Sequence, residues 1–182
     1  MKLVEPIKNI EDINKIKKYL KSKNLRNYLI FVMGINTGIK TCQILNLKIE
    51  DILDYNNNIR DSISINGIEY DITKNTRDAI KEYLLFNDTG DERNNYLFKS
   101  NRGEAPIDRS HLYRILNEAA KKCELNLSIG NETLRKTFGY HYYYQVGNLK
   151  YLQLVLNQKS MSKLYDYLNI ENEMNFNKKF NL

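Results

Sequence analysis

Histidine and cysteine are scarce in this 182-residue chain, which holds two of each. Cys42 and Cys123 lie far apart with no metal-ligand spacing around them, so no metal centre is expected. They read instead as buried thiols of a reducing compartment. Long apolar runs are missing too. No stretch approaches the roughly 18 residues that a membrane span needs, and the N-terminus, Met-Lys-Leu-Val-Glu-Pro, has no secretory pattern. The expectations are a cytoplasmic protein, no membrane partner, no cofactor and no small-molecule ligand. Neither a repeat nor a linker interrupts the chain, so residues 1–182 are expected to form one domain. One further gap is local: no lysine occurs between Lys48 and Lys74.

What is present is enough to build a core. Hydrophobic residues make up 42% of the chain and aromatics 11%, which excludes disorder as the default state. Lysine and arginine number 28 against 22 aspartates and glutamates, a net charge of +6 that favours a polyanionic partner.

The apolar pattern is mostly helical. Ile10, Ile13, Ile16, Tyr19 and Leu20 recur at helical spacing behind an acidic start at Glu11 and Asp12, predicting a helix over 10–22. Leu25, Tyr28, Leu29, Val32 and Ile35 predict a second over 25–36, stopped by Gly38. A short run at 41–47 closes this group. The period then changes: Ile63 and Ile65 alternate with serines, Asn66-Gly67 supplies a favoured hairpin dipeptide, and Ile68, Tyr70 and Ile72 alternate again. Helices are predicted to resume at 74–86, 108–123, 131–146, 148–157, 160–168 and 171–179. The fold class expected is mainly α with a small antiparallel β-hairpin or sheet (α+β).

Three boxes carry a more specific message. Residues 131–139 read Asn-Glu-Thr-Leu-Arg-Lys-Thr-Phe-Gly, residues 156–160 read Leu-Asn-Gln-Lys-Ser, and Tyr167 lies nine residues beyond Gln158. Upstream, residues 37–47 read Thr-Gly-Ile-Lys-Thr-Cys-Gln-Ile-Leu-Asn-Leu. In order and separation these boxes resemble the active-site signature of the tyrosine recombinases, the phage-integrase family. That signature is Thr-Gly-x-Arg-x-x-Glu, then His-x-x-Arg, then a second His or Trp, then a nucleophilic tyrosine. Tyr96-Leu97-Phe98-Lys99 and the segment Ile107 to Leu116 are similar to the family's strand and helix ahead of His-x-x-Arg. The resemblance covers roughly residues 5 to 170 and implies a tyrosine-recombinase catalytic-domain fold.

The resemblance also implies a candidate catalytic set of Tyr167, Arg135, Lys40, Glu132 and Gln158, in which only Arg135 and Tyr167 keep the family's residue types. Lys40 stands in the arginine position, where it offers a point charge in place of a bidentate fork. Glu132 stands in the first histidine position, where its carboxylate would face the phosphate and lie within reach of Arg135 three residues on. Gln158 replaces the second histidine or tryptophan and remains a donor. The family's general-acid lysine belongs on the hairpin turn, but this turn is Asn66-Gly67, and Lys74 falls at the start of the next helix. Neither His111 nor His141 is placed to rescue the site: His141, six residues after Arg135, points about 120° away round the helix. Tyr165 competes with Tyr167 as nucleophile, but two residues apart on a helix they face nearly opposite ways.

DNA contact is expected from Lys40, Arg102, Arg109, Ser110, His111, Arg135 and Lys136. Arg109, Ser110 and His111 open the helix that the resemblance places in the major groove, and Arg102 precedes it as a phosphate contact. The resemblance thus implies a binder of double-stranded DNA, impaired in catalysis, that acts as a regulator or accessory factor of a mobile element. Two alternatives are a divergent but active site-specific recombinase and a protein-interaction module acting on an active one. An N-terminal core-binding domain is not expected, since the chain begins shortly before the first box. Met174, Phe176 and Phe180 give the tail from Glu171 to Leu182 enough apolar surface either to pack on a neighbour in a homo-oligomer or to fold back on its own domain.

Overall fold

A computed structural model describes residues 4–87, 93–100, 103–127, 129–130 and 132–170. The predicted helix at 171–179, the apolar tail and Arg102 lie outside them. Helices α1 (Ile10–Lys23) and α2 (Leu25–Thr37) follow one another, split at Asn24, whose side chain accepts the Asn27 amide and caps α2. Five consecutive residues of α2, Leu29 to Met33, are buried. A helix apolar on every side belongs in the interior, and α2 packs against α1, α5 (Lys74–Phe86) and α7 (Thr133–Gln145). It ends at Gly38 with φ 72°, a left-handed position that glycine takes without strain. A Cβ there would also come within 2.5 Å of Phe138.

Next come two short helices, α3 (Thr41–Leu45) and α4 (Ile49–Ile52). The second is a single turn fixed by Asp51, whose carboxylate accepts the Lys48 amide at 2.7 Å. No apolar period announces a turn this short. The hairpin pairs β1 (Ser62–Ile65) with β2 (Ile68–Asp71) antiparallel, Ile63 opposite Tyr70. Asn66 and Gly67 both have positive φ, 52° and 77°, as the tight two-residue turn requires. Lys74 is the first residue of α5, not part of the turn.

The later helices are α6 (Arg109–Lys122), α7, α8 (Leu149–Leu156) and α9 (Met161–Leu168). Their predicted ranges hold to within two residues at each end. The strand expected at 96–99 is a correction. The segment makes single antiparallel bridges, Lys48 to Tyr96 and Lys99 to Pro106, with a turn between. Leu97 and Phe98 are buried in the core, while the Leu97 amide donates to the Leu47 carbonyl at 2.8 Å and the Phe98 carbonyl accepts the Ile107 amide at 2.9 Å, so the apolar pair reflects burial between two segments and not a continuous strand. The thiols also differ from expectation: Cys42 is exposed and Cys123 half-buried. On α3 the buried positions are Thr41, Ile44 and Leu45, which turns Cys42 outward. No described helix is long and apolar enough to cross a membrane.

Candidate active site

The site is built on the first two turns of α7. Residues 133 to 139 are all buried, including four polar side chains, Thr133, Arg135, Lys136 and Thr137, that would be costly without partners. Each is satisfied. Thr137 donates to the Thr133 carbonyl at 2.7 Å and accepts the Ile7 amide at 2.9 Å. Arg135, 6% exposed, donates from Nε to the Gly38 carbonyl at 2.9 Å and from Nη2 to the Val155 carbonyl at 2.7 Å. One guanidinium thereby ties the end of α2 and the end of α8 to the start of α7. Nη1 of the same guanidinium sits 4.0 Å from the Glu132 carboxylate.

Tyr167 comes from α9, which docks on α7 through close apolar contact. Gly139 makes that approach possible, since a Cβ at this position would fall 2.4 Å from Leu168 and 2.8 Å from Leu156. The docking carries the Tyr167 hydroxyl to Glu132, to which it donates at 2.6 Å. A bond this short is in the range of charge-assisted O–H···O⁻ bonds. Burial pushes the Tyr167 hydroxyl well above the ordinary tyrosine range, and the bond to Glu132 pushes it the same way. Lys136 lies 5.1 Å from the centre of the Tyr167 ring, and its ammonium donates to the Val4 carbonyl at 2.9 Å. Burial pulls the Lys136 ammonium below the usual lysine range. Tyr165 faces the other way, its ring edge-on to Tyr143 at 5.9 Å.

The predicted residues therefore divide. Arg135, Glu132 and Tyr167 converge on one point. Lys136, expected to contact DNA, is 8% exposed and committed inside the fold. Gln158, half-buried after α8, donates to the Leu156 carbonyl at 3.1 Å. Lys40 is exposed at the N-cap of α3, with no ion-pair partner among the described residues. Arg109, Ser110 and His111 are exposed on the first turn of α6, where Asp108 accepts the His111 amide at 2.8 Å. That bond, foremost, holds the Asp108 carboxyl below the usual range. His141 is a packing residue, 2.9 Å from the Ile7 carbonyl and edge-on to Tyr140. Among the described residues no His, Cys, Asp and Glu cluster could hold a metal.

Sequence reasoning missed the carbonyls of Gly38, Val155 and Val4. Backbone acceptors leave no compositional trace, so only the burial of two cations within a contiguous buried run hints at them. Tyr70 was missed as a neighbour of Arg135, whose positive charge opposes the upward push of burial on its hydroxyl.

A buried arginine, a tyrosine and a carboxylate meeting between the ends of four helices, with a β-hairpin alongside, form the catalytic-domain fold of a tyrosine recombinase. XerA recombinase superposes with a TM-score of 0.76 at 22% identity, over 95% of this chain and 62% of that one. XerH site-specific recombinase, bound to difH substrate in a pre-cleavage complex, superposes with a TM-score of 0.67 at 21% identity, over 90% of this chain and 50% of that one. In sequence the chain is 38% identical over 177 residues to the "Probable integrase/recombinase YoeC" of Bacillus subtilis (strain 168), covering 95% of this chain and 93% of YoeC. The phage integrase family description matches residues 6–174. The chain belongs to the phage integrase family.

Proposed function

We propose that the protein binds double-stranded DNA across the face carrying Lys40 and Arg109 and does not complete strand exchange, serving as a regulator or accessory factor of a mobile element. The observation that carries this reading is the hairpin turn. It is a two-residue Asn66-Gly67 turn without lysine, in a chain whose Arg135 and Tyr167 both lie against Glu132. The leaving 5′ oxygen therefore has no donor on the element where the family supplies one. DNA contact needs far less than a complete catalytic set, because it depends on distributed positive charge. The net charge of +6 and the exposed Lys40, Arg109 and His111 support it, as does the difH DNA bound to XerH.

The test is fluorescence anisotropy with duplexes from DNA flanking the protein's own gene. Replacing Lys40 and Arg109 together by alanine is expected to weaken binding about tenfold or more at low salt and to flatten the slope of affinity against salt by roughly one unit per lost phosphate contact. Absence of binding by the parent protein at low salt would sink the proposal.

A second expectation concerns Glu132, whose side chain is 45% exposed and lies 4.0 Å from the Nη1 end of Arg135. Its negative charge repels a phosphate approaching Arg135. Glu132→Gln should tighten duplex binding several-fold at low salt, with the gain fading as salt screens the charge. Equal affinities for parent and variant at low salt would show that no phosphate approaches this carboxylate. An active recombinase is the second reading, favoured by the convergence of Tyr167, Glu132 and Arg135.

A further inference from the structure

We propose that Glu132 is the proton acceptor for Tyr167, so that the site can form the tyrosine–phosphate bond when the departing oxygen needs no proton. This rests on the reading that the cleft beside Arg135 takes a DNA phosphate. The Tyr167 hydroxyl donates to Glu132 at 2.6 Å, and Glu132 is the side-chain oxygen acceptor it has among the described residues. Lys136 packs over the ring at 5.1 Å from its centre, its ammonium donating to the Val4 carbonyl. Arg135 Nη1 is 4.0 Å from the same carboxylate, so a cation lies beside the place where charge builds on the non-bridging oxygens. Burial and the bond to Glu132 disfavour a free tyrosinate, which favours loss of the proton in the same step in which oxygen attacks.

The Tyr167 Oη–P bond forms, the bond from phosphorus to the 5′ oxygen breaks, and the tyrosine proton passes to Glu132. The electron pair of the broken bond stays on the leaving group. A nucleoside 5′ alkoxide needs a proton at once, and the Asn66-Gly67 turn offers none. A p-nitrophenolate departs as a stable anion and needs no proton. Substrates with that leaving group test Glu132 and Tyr167 without the missing acid.

The experiment uses the full chain and a panel of short duplexes tiling the DNA that flanks its own gene, each with one strand ending in a 3′-p-nitrophenyl phosphodiester. The readouts are p-nitrophenolate release, up to one equivalent per protein, and a covalent adduct on a denaturing gel. The parent protein is expected to give both. Tyr167→Phe should give neither. Glu132→Gln should slow both by about 10²-fold or more, the usual worth of a proton acceptor, while binding duplex no more weakly than the parent. Glu132→Asp should recover part of the rate, because it restores a carboxylate. Duplex binding without release by the parent overturns this assignment alone, as does release by Glu132→Gln at the parent's rate. Absence of duplex binding overturns the DNA-binding reading on which it rests.

Discussion

Arg135→Ala will lower the stability of the fold by about 3 kcal/mol, because two bonds from a buried charged donor are lost and the carbonyls of Gly38 and Val155 lose a partner in the interior. For a chain of this size that corresponds to a fall of roughly 6–12 °C in melting temperature. The burial cost of the guanidinium disappears in the variant and offsets part of the loss. It does not cancel it, since the side chain also bridges three helices. Arg135→Lys keeps the charge but cannot span both carbonyls from one planar fork, so it should fall between parent and alanine. Arg109→Ala is the control: exposed on α6, it should melt within about 0.5 kcal/mol of the parent. Thermal or urea unfolding decides the matter, and an Arg135→Ala variant that melts with the parent would mean that these bonds contribute nothing net. The same result governs how any loss of DNA binding in Arg135→Ala is read, because an arginine that holds the fold together cannot be removed without changing the fold as well.

Tyr167 will give no detectable covalent adduct with ordinary DNA. Loss of a general acid costs roughly 10²–10⁴-fold, and loss of one donor to the developing charge roughly 10²–10³-fold. Here the hairpin turn lacks its lysine, and Lys40 offers a point charge in place of a fork. The two losses need not multiply, but either with part of the other puts cleavage out of reach of a routine incubation. The check is a nicked suicide duplex carrying the protein's own binding site, resolved on a denaturing gel. Tyr167→Phe should bind this duplex as the parent does, and neither should form an adduct. An adduct from the parent that vanishes in Tyr167→Phe would make the protein an active recombinase. Paired with the p-nitrophenyl substrates, the experiment locates the deficiency: no adduct with a 5′-alkoxide leaving group and an adduct with p-nitrophenolate means that the missing acid is the limiting loss.

Local signals in the sequence determined most of the fold. Periodicity of 3.6 placed the long helices, because each buries one stripe and exposes the other. Asn66-Gly67 placed the hairpin, because few dipeptides accept two positive φ angles in succession. The spacing of residues 132, 135, 158 and 167 identified the frame of the site. It did not settle which groups would touch. Three residues apart on one helix, Glu132 and Arg135 are in reach of each other, and local reasoning pairs them; the structure puts them at 4.0 Å and gives Glu132 a closer partner, Tyr167, at 2.6 Å. That partner is 35 residues away, and it arrives only because Gly139 lets α9 settle on α7. Lys136 beside Arg135 reads as one more cation for DNA, yet its position on the helix turns it inward to Val4. Segment 96–99 reads as a strand because burial and strand pairing favour the same apolar residues, and only the placement of residues 47 and 107 separates the two. Composition, period and turn chemistry act within a few residues of one another and are legible along the chain. The pairing of a carboxylate with a hydroxyl, or of a cation with a carbonyl, is a choice among partners that only the packing of helices makes available.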